Sequence, residues 1–209
     1  MSEVKRTRSE LKREAILNAA KKAFIKDGVQ STSMDKVSEL AQVSKRTVYN
    51  HFETKEMLVM QIMAEMWRKS TIQPDFEYLT DTPLHEQLSA ILLAEAKMFS
   101  AKENLDLSRV AFGHFFYNPE ALQKEMGKFS ARETTLFKWL EAAVADNRLK
   151  PMDFEFANSQ LHNMIKGHCF WPLLLNIGSV IELEKLKNIT DETAAMFLSH
   201  YAKNSSILT

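Results

Sequence analysis

Ser31–Lys55 reads STSMDKVSELAQVSKRTVYNHFETK, and its punctuation decides the fold of everything around it. Thr32 or Ser33 stands where a helix N-cap is wanted, Asp35 lies near the positive helix end, and Met34, Val37, Leu40 and Ala41 recur at helical spacing. A break at Gln42-Val43 is followed by Ser44, a second N-cap, and by the short helix KRTVYNHF, in which Val48 and Phe52 sit four apart. Two such short helices cross steeply across a tight turn when small or apolar residues pin them together, here Val37, Ala41, Val43 and Val48. The second helix then turns its polar face outward. That face carries Ser44, Lys45, Arg46, Thr47, Tyr49, Asn50 and His51, groups suited to phosphate oxygens and base edges; Arg forks onto guanine and Asn pairs with adenine.

Working outward, a first helix starts at Ser9, sets Leu11, Ile16, Ala19, Ala20, Ala23 and Phe24 on one face, and stops at Asp27-Gly28. Residues 1–8, polar and basic, are expected to form a flexible arm. Thr54 and Glu56 open a longer helix through Met57, Leu58, Ile62, Met63 and Met66 to about Ser70. Residues 9–55 therefore form a three-helix DNA-binding head of helix-turn-helix type, and 56–209 a larger C-terminal helical domain. There, Thr82-Pro83 and Asn118-Pro119 are start signals, the second separating a segment 104–117 from a long helix 120–147. Asp153 caps a helix reaching about Ile177, kinked by Pro172, and Asp191 with Glu192 opens a last helix to about Lys203. With only 5 Gly and 5 Pro the chain lacks the turn residues of a β protein, and the fold class is all-α.

Net charge is zero, but its distribution is uneven. Residues 1–55 hold 12 Lys/Arg against 7 Asp/Glu, a balance of +5, and the remaining 154 residues hold 15 against 20, a balance of −5. The basic end suits a polyanion, although small solvated helical regions also drift to such values by chance. A single cysteine, Cys169, excludes an intramolecular disulfide and fits a reducing compartment. No apolar run approaches the roughly 18 residues of a membrane span, and MSEVKRTRSELKRE is no secretory signal. A cytoplasmic, nucleoid-associated protein without membrane contact is expected.

The run of a basic first helix ending in F-x-x-x-G, then T-S-M-x-x-V, then V-S-K-R-T-V-Y-N-H-F and T-K-E, resembles the TetR/AcrR family of regulators over about residues 9–60. That resemblance implies a three-helix DNA-binding domain, a fourth connecting helix, and a divergent helical domain that dimerises and often binds a small ligand. By it, Lys45, Arg46, Thr47 and Asn50 approach bases, Tyr49, His51 and Lys55 touch phosphates, and Thr32 and Ser33 clamp phosphate. One position departs: where the family often has Gly, this chain has Gln42, so a left-handed backbone costs about 1–2 kcal/mol or the turn is built differently.

Between 98 and 139 large soft side chains crowd together, including Met98, Phe99, Phe112, Phe115, Phe116, Tyr117, Phe137 and Trp139. Most of such a stripe is ordinary core, with a few members lining a cavity for a small hydrophobic effector and with His114, Tyr117, His162 and Asn163 as polar handles. Trp67 stands at the end of the fourth helix, where ligand filling would be felt by the head. Residues 154–177 are apolar on more than one face and so must be buried on two sides. Leu161, Ile165, Phe170, Trp171 and Leu174, with Phe197, Leu198 and Tyr201 of the last helix, are expected to form a four-helix homodimer interface, as the resemblance implies.

Enzymatic signals are weak. Cys169 beside His168 points about 100° away from it and forms no nucleophile–base pair, and His162 with Cys169 supplies two ligands, too few for a metal site. No cofactor or metal is expected. The reading is a ligand-responsive repressor binding double-stranded palindromic operator DNA as a dimer. A ligand-independent regulator or activator with the same head, and a helical ligand carrier or interaction module, are the alternatives.

Overall fold

The computed structural model describes residues 7–71, 76–116, 120 and 134–203, without the side chains of residues 66–71, 114 and 115. Thr7 opens the first helix, α1 (Arg8–Asp27), through a capping box: its hydroxyl accepts from the Glu10 N–H at 3.2 Å and its own N–H donates to the Glu10 carboxylate at 2.6 Å. The basic arm is therefore shorter than the sequence pattern implied, and residues 1–6 lie outside the described residues. Gly28 ends α1 at φ +79°, where its N–H reaches the Phe24 carbonyl at 2.9 Å.

Ser33 caps α2 (Met34–Leu40) and Ser44 caps α3 (Lys45–His51), each hydroxyl taking a backbone N–H three residues on. Between them Gln42 adopts φ +54°. Its N–H donates to the Glu39 carbonyl and the Val43 N–H to the Ser38 carbonyl, both at 3.1 Å, a complete Schellman motif built on glutamine instead of glycine. Thr54 then begins α4 (Lys55–Thr71), accepting from the Met57 N–H at 3.2 Å.

The chain forms two compact units, divided inside α4 between residues 66 and 67 and inside α6 (Lys102–Phe115) between 105 and 106. The N-terminal unit packs Ile16, Leu17, Ala20 and Phe24 of α1, Val37 of α2, Val48 and Phe52 at α3, and Leu58, Val59 and Ile62 of α4 into one core, with Leu107 and Ala111 of α6. Leu11 and Leu40, expected to face inward, are about half exposed, because the inward stripe of each helix is already filled. An ion pair of 3.0 Å between Lys21 and Glu65 ties α1 to α4, and the Arg13 guanidinium lies 5.3 Å from the Phe52 ring centroid.

In the second unit α5 (Leu84–Ser100), α7 (Thr135–Ala145), α8 (Phe154–Cys169), α9 (Trp171–Leu174) and α10 (Leu183–Tyr201) enclose a core of Leu88, Ile91, Leu92, Trp139, Leu140, Leu161, Ile165, Phe197 and Leu198. Gln87 organises its edge, donating to the Leu79 and Thr82 carbonyls at 2.8 Å while accepting from the Trp139 indole at 3.3 Å. Arg148 holds the same loop through the Thr80 and Thr82 carbonyls at 2.9 Å.

Three helix boundaries differ from the sequence pattern. A cap at Thr134 starts α7 inside the stretch expected as one helix from 120 to 147. The backbone breaks at Phe170, two residues before Pro172, so α8 ends eight residues short of Ile177. The last helix begins at Leu183, eight residues before Asp191, because Leu186 and Thr190 supply an inward stripe ahead of it.

Candidate nucleic-acid interface

The N-terminal unit presents α3 as an outward row. Val48 is fully buried and Phe52 nearly so, which roots the helix, while Lys45, Arg46, Asn50 and Tyr49 are exposed, Tyr49 by 49%. The Ser44 and Thr47 hydroxyls share a hydrogen bond of 2.8 Å at the helix start, and His51 is half-buried with its ring against Phe52. Among the described residues the side chains of Arg46, Tyr49 and Asn50 make no hydrogen bond. They are the groups with donor and acceptor capacity left to offer.

Lys45 is held differently. Its ammonium lies 2.6 Å from the Asp35 carboxylate on α2, and the hydrogen bond and charge of Asp35 raise its pKa above the usual lysine range. Both side chains are more than half or about half exposed, so water and salt compete with the bond. The sequence marks Asp35 only as a helix-dipole residue; its place ten positions before Lys45 carries no periodic signal, since the two meet only because the turn at Gln42 folds α2 back on α3.

Two residues expected at phosphates are committed elsewhere. Thr32 is 1% exposed, and its hydroxyl donates to the Gly28 carbonyl at 2.8 Å, so this side chain closes the loop between α1 and α2 instead of meeting a phosphate. Lys55 places its ammonium on the Val29 and Gln30 carbonyls at 3.0 and 3.2 Å, where it anchors the same loop. Ser33 is exposed, with its hydroxyl engaged as the α2 cap.

The expected effector residues scatter. His162 is buried in the second unit, Met98 and Phe99 are half-buried there, and Phe137 is packed in its interior with its ring centroid 5.8 Å from that of Phe154. Asn163 faces outward and bonds Ser159, and Phe112 and Phe116 are exposed among the described residues of the N-terminal unit. The side chains of Trp67, His114 and Phe115, and all of Tyr117, lie outside the described residues.

The expected dimer residues also need correcting. Leu161, Ile165, Phe197 and Leu198 are buried in the core of their own unit, as are Phe170 and Leu174 in a smaller cluster with Leu105 and Leu173. Their burial is complete within one chain because α5 and α7 cover the inward faces of α8 and α10. Tyr201 is half-buried and reaches Gln160 at 3.3 Å, and Trp171 remains exposed. The outward apolar groups are Phe156 on α8, Trp171 on α9, and Leu183 and Met196 on α10.

Family models match both parts of the chain: residues 16–62 match the bacterial regulatory proteins of the tetR family, and residues 86–203 match the C-terminal domain of AefR-like transcriptional repressors. The chain belongs to the TetR family. Like this TetR-family regulator in sequence is the uncharacterized HTH-type transcriptional regulator YhgD of Bacillus subtilis, 34% identical over 205 residues that cover 91% of this chain and 94% of that one. The HTH-type transcriptional regulator QacR of Staphylococcus aureus is 35% identical over 68 residues, 29% of this chain and 36% of its own. A TetR family transcriptional regulator from Pseudomonas syringae superposes with a TM-score of 0.76 at 33% identity, covering 92% of this chain and 97% of that one. The TetR-family chain is thus a DNA-binding transcriptional regulator, of a family that binds operator DNA as dimers and is not made up of enzymes. Among the described residues no helix is long and apolar enough to cross a membrane.

Proposed function

We propose that the protein is a dimeric, ligand-responsive repressor, in which residues 9–55 read a palindromic operator and residues 56–209 pair the subunits and sense an apolar effector. The observation that carries it is the outward row of α3, where Arg46, Tyr49 and Asn50 stand exposed and uncommitted on a helix rooted by Val48 and Phe52. In this reading Arg46 and Asn50 approach base edges, Lys45 leaves Asp35 for the duplex, and Tyr49 and His51 position the head on phosphate. Ser44 and Thr47 stand at the helix start, with Thr47 approaching the bases beside Lys45 and Arg46.

Pairing uses the outward faces of α8, α9 and α10, with Phe156, Trp171 and Met196 covered by the second copy. Two heads then sit about 34–36 Å apart, or a multiple of that, and enter successive major grooves. An effector that prefers another spacing lowers operator affinity only by its differential affinity for the two states. The protein acts in the cytoplasm, on the nucleoid.

The test is a fluorescence-anisotropy titration on the DNA that flanks its own gene. Lys45→Ala with Arg46→Ala should lose about thirtyfold or more in specific affinity, since each base contact contributes roughly 1–3 kcal/mol. Gel filtration should show the same dimer. Retained operator affinity in that variant removes α3 as the reading helix.

A further inference from the structure

The second unit buries a carboxylate whose hydrogen bonding is incomplete. Glu95, on the face of α5 that also carries Leu88 and Leu92, is 1% exposed. Its Oε1 lies 3.3 Å from His162 Nε2 on α8, and His162 Nδ1 lies 2.9 Å from the Asn158 carbonyl. A carbonyl only accepts, so Nδ1 carries a proton; with Glu95 ionised and Nε2 protonated as well, the ring is an imidazolium donating from both ends. Glu95 Oε2, in contrast, has no partner among the described residues, and neither has Asn158 Oδ1, one turn before His162 on a residue 6% exposed. Buried acceptors left unpaired are costly and call for an occupant.

The surrounding charges say what kind. Lys166, one turn beyond His162, sets its ammonium 5.1 Å from the Phe99 ring centroid, and Phe99 lies 5.8 Å from Phe170. Burial pulls the Lys166 pKa down while the Glu95 charge opposes it, so the lysine feels the same carboxylate. Two cations therefore already serve one anion. A cationic ligand head would add a third positive charge to a site poor in water, and an anionic head would meet the unpaired Glu95 oxygen. An uncharged O–H on an apolar body satisfies both conditions, and the aromatic rings of Phe99 and Phe170 offer flat apolar surface beside it.

We propose that Glu95 Oε2 is the recognition group of an effector site at the α5–α8 seam and accepts a hydrogen bond from a neutral hydroxyl on an apolar, ring-bearing molecule; this rests on the ligand-responsive reading above. Asn158 Oδ1 is a second acceptor for the same ligand, and Cys169, buried with its thiol pKa pushed up to about 11, stays protonated as part of the apolar wall.

Matched sets on biphenyl, naphthalene and diphenylmethane frames, each bearing a hydroxyl, methoxy, aminomethyl or carboxylate group, test it by calorimetry on the full chain. For at least one frame the hydroxyl member should bind about tenfold or more tightly than its three partners, because a site built for an O–H rejects an analogue lacking it. Glu95→Gln, which exchanges the unpaired oxygen for an amide, should erase that preference. Equal binding of hydroxyl and methoxy members to the wild type overturns the proposal without any variant, as does an unchanged preference in Glu95→Gln. If no member binds, the proposal falls; the ligand-responsive reading falls with it only when a broad apolar library also leaves the melting temperature unmoved.

Discussion

Each unit of the protein holds an ion pair between two helices, and the two pairs are built to opposite ends. Lys45 and Asp35 meet at 2.6 Å on the surface of the head, with water on both partners. His162 and Glu95 meet at 3.3 Å inside the C-terminal unit, where water reaches neither freely. The exposed pair is easily exchanged: a phosphate or base edge replaces the carboxylate at little cost, because solvent already screens it. The buried pair is not, since removing either partner leaves a charge in a poor medium for it. The head keeps its contact groups interchangeable, whereas the C-terminal unit fixes its charges and leaves one acceptor open.

The sharpest way to break this contrast is to cut each pair. Glu95→Ala removes the partner of the His162 Nε2 and leaves a cavity, and should cost about 1–3 kcal/mol, read as a lower urea midpoint, while Asp35→Ala should leave the midpoint where it is. Equal losses would erase the distinction. A second effect concerns DNA alone: Asp35→Asn frees Lys45 and removes a negative charge from the side facing phosphate. Affinity for a random-sequence duplex should rise several-fold, and the slope of log K against log salt should steepen by about 0.9. An unchanged slope would mean that Asp35 does not compete with the duplex for Lys45.

A subtler effect comes from pH. Burial draws the His162 pKa down, but the hydrogen bond and charge of Glu95 outweigh it and leave the folded pKa raised. The stability this contributes is complete below the unfolded value, about 6.5, and is lost as pH rises through the folded value. Thermal melts from about pH 6 upward should show the midpoint declining through that window, and His162→Gln should flatten the decline; a parallel decline in the variant would assign it to other groups. The smallest effect lies in the turn. Gln42→Gly removes the left-handed strain at φ +54° but loosens the unfolded chain, for a net gain of at most about 1 kcal/mol and a rise of a few degrees in melting temperature. DNA affinity should not change.

Much of the head was legible because its signals are local. Ser33 and Ser44 cap the helices they precede, Gly28 closes α1, and Val37, Val48 and Phe52 fill the spacing that periodicity assigns them. Thr32 and Lys55 were not legible, since whether a side chain meets solvent or a loop carbonyl 4 or 26 residues away depends on the finished turn. In the C-terminal unit the apolar residues of α8 and α10 were evident, but not which face each would use. A helix with apolar groups on more than one side leaves that choice to its neighbours.

The sequence alone therefore determined the all-helical class, the helix-turn-helix and the polar row of α3, because caps, turns and spacing act within a few residues. Tertiary structure decided that Leu161, Ile165, Phe197 and Leu198 face their own core, that Asp35 meets Lys45, and that Glu95 is buried beside His162 with an oxygen to spare. Those outcomes depend on which distant helices pack together, and burial, charge pairing and unpaired acceptors exist only once they have.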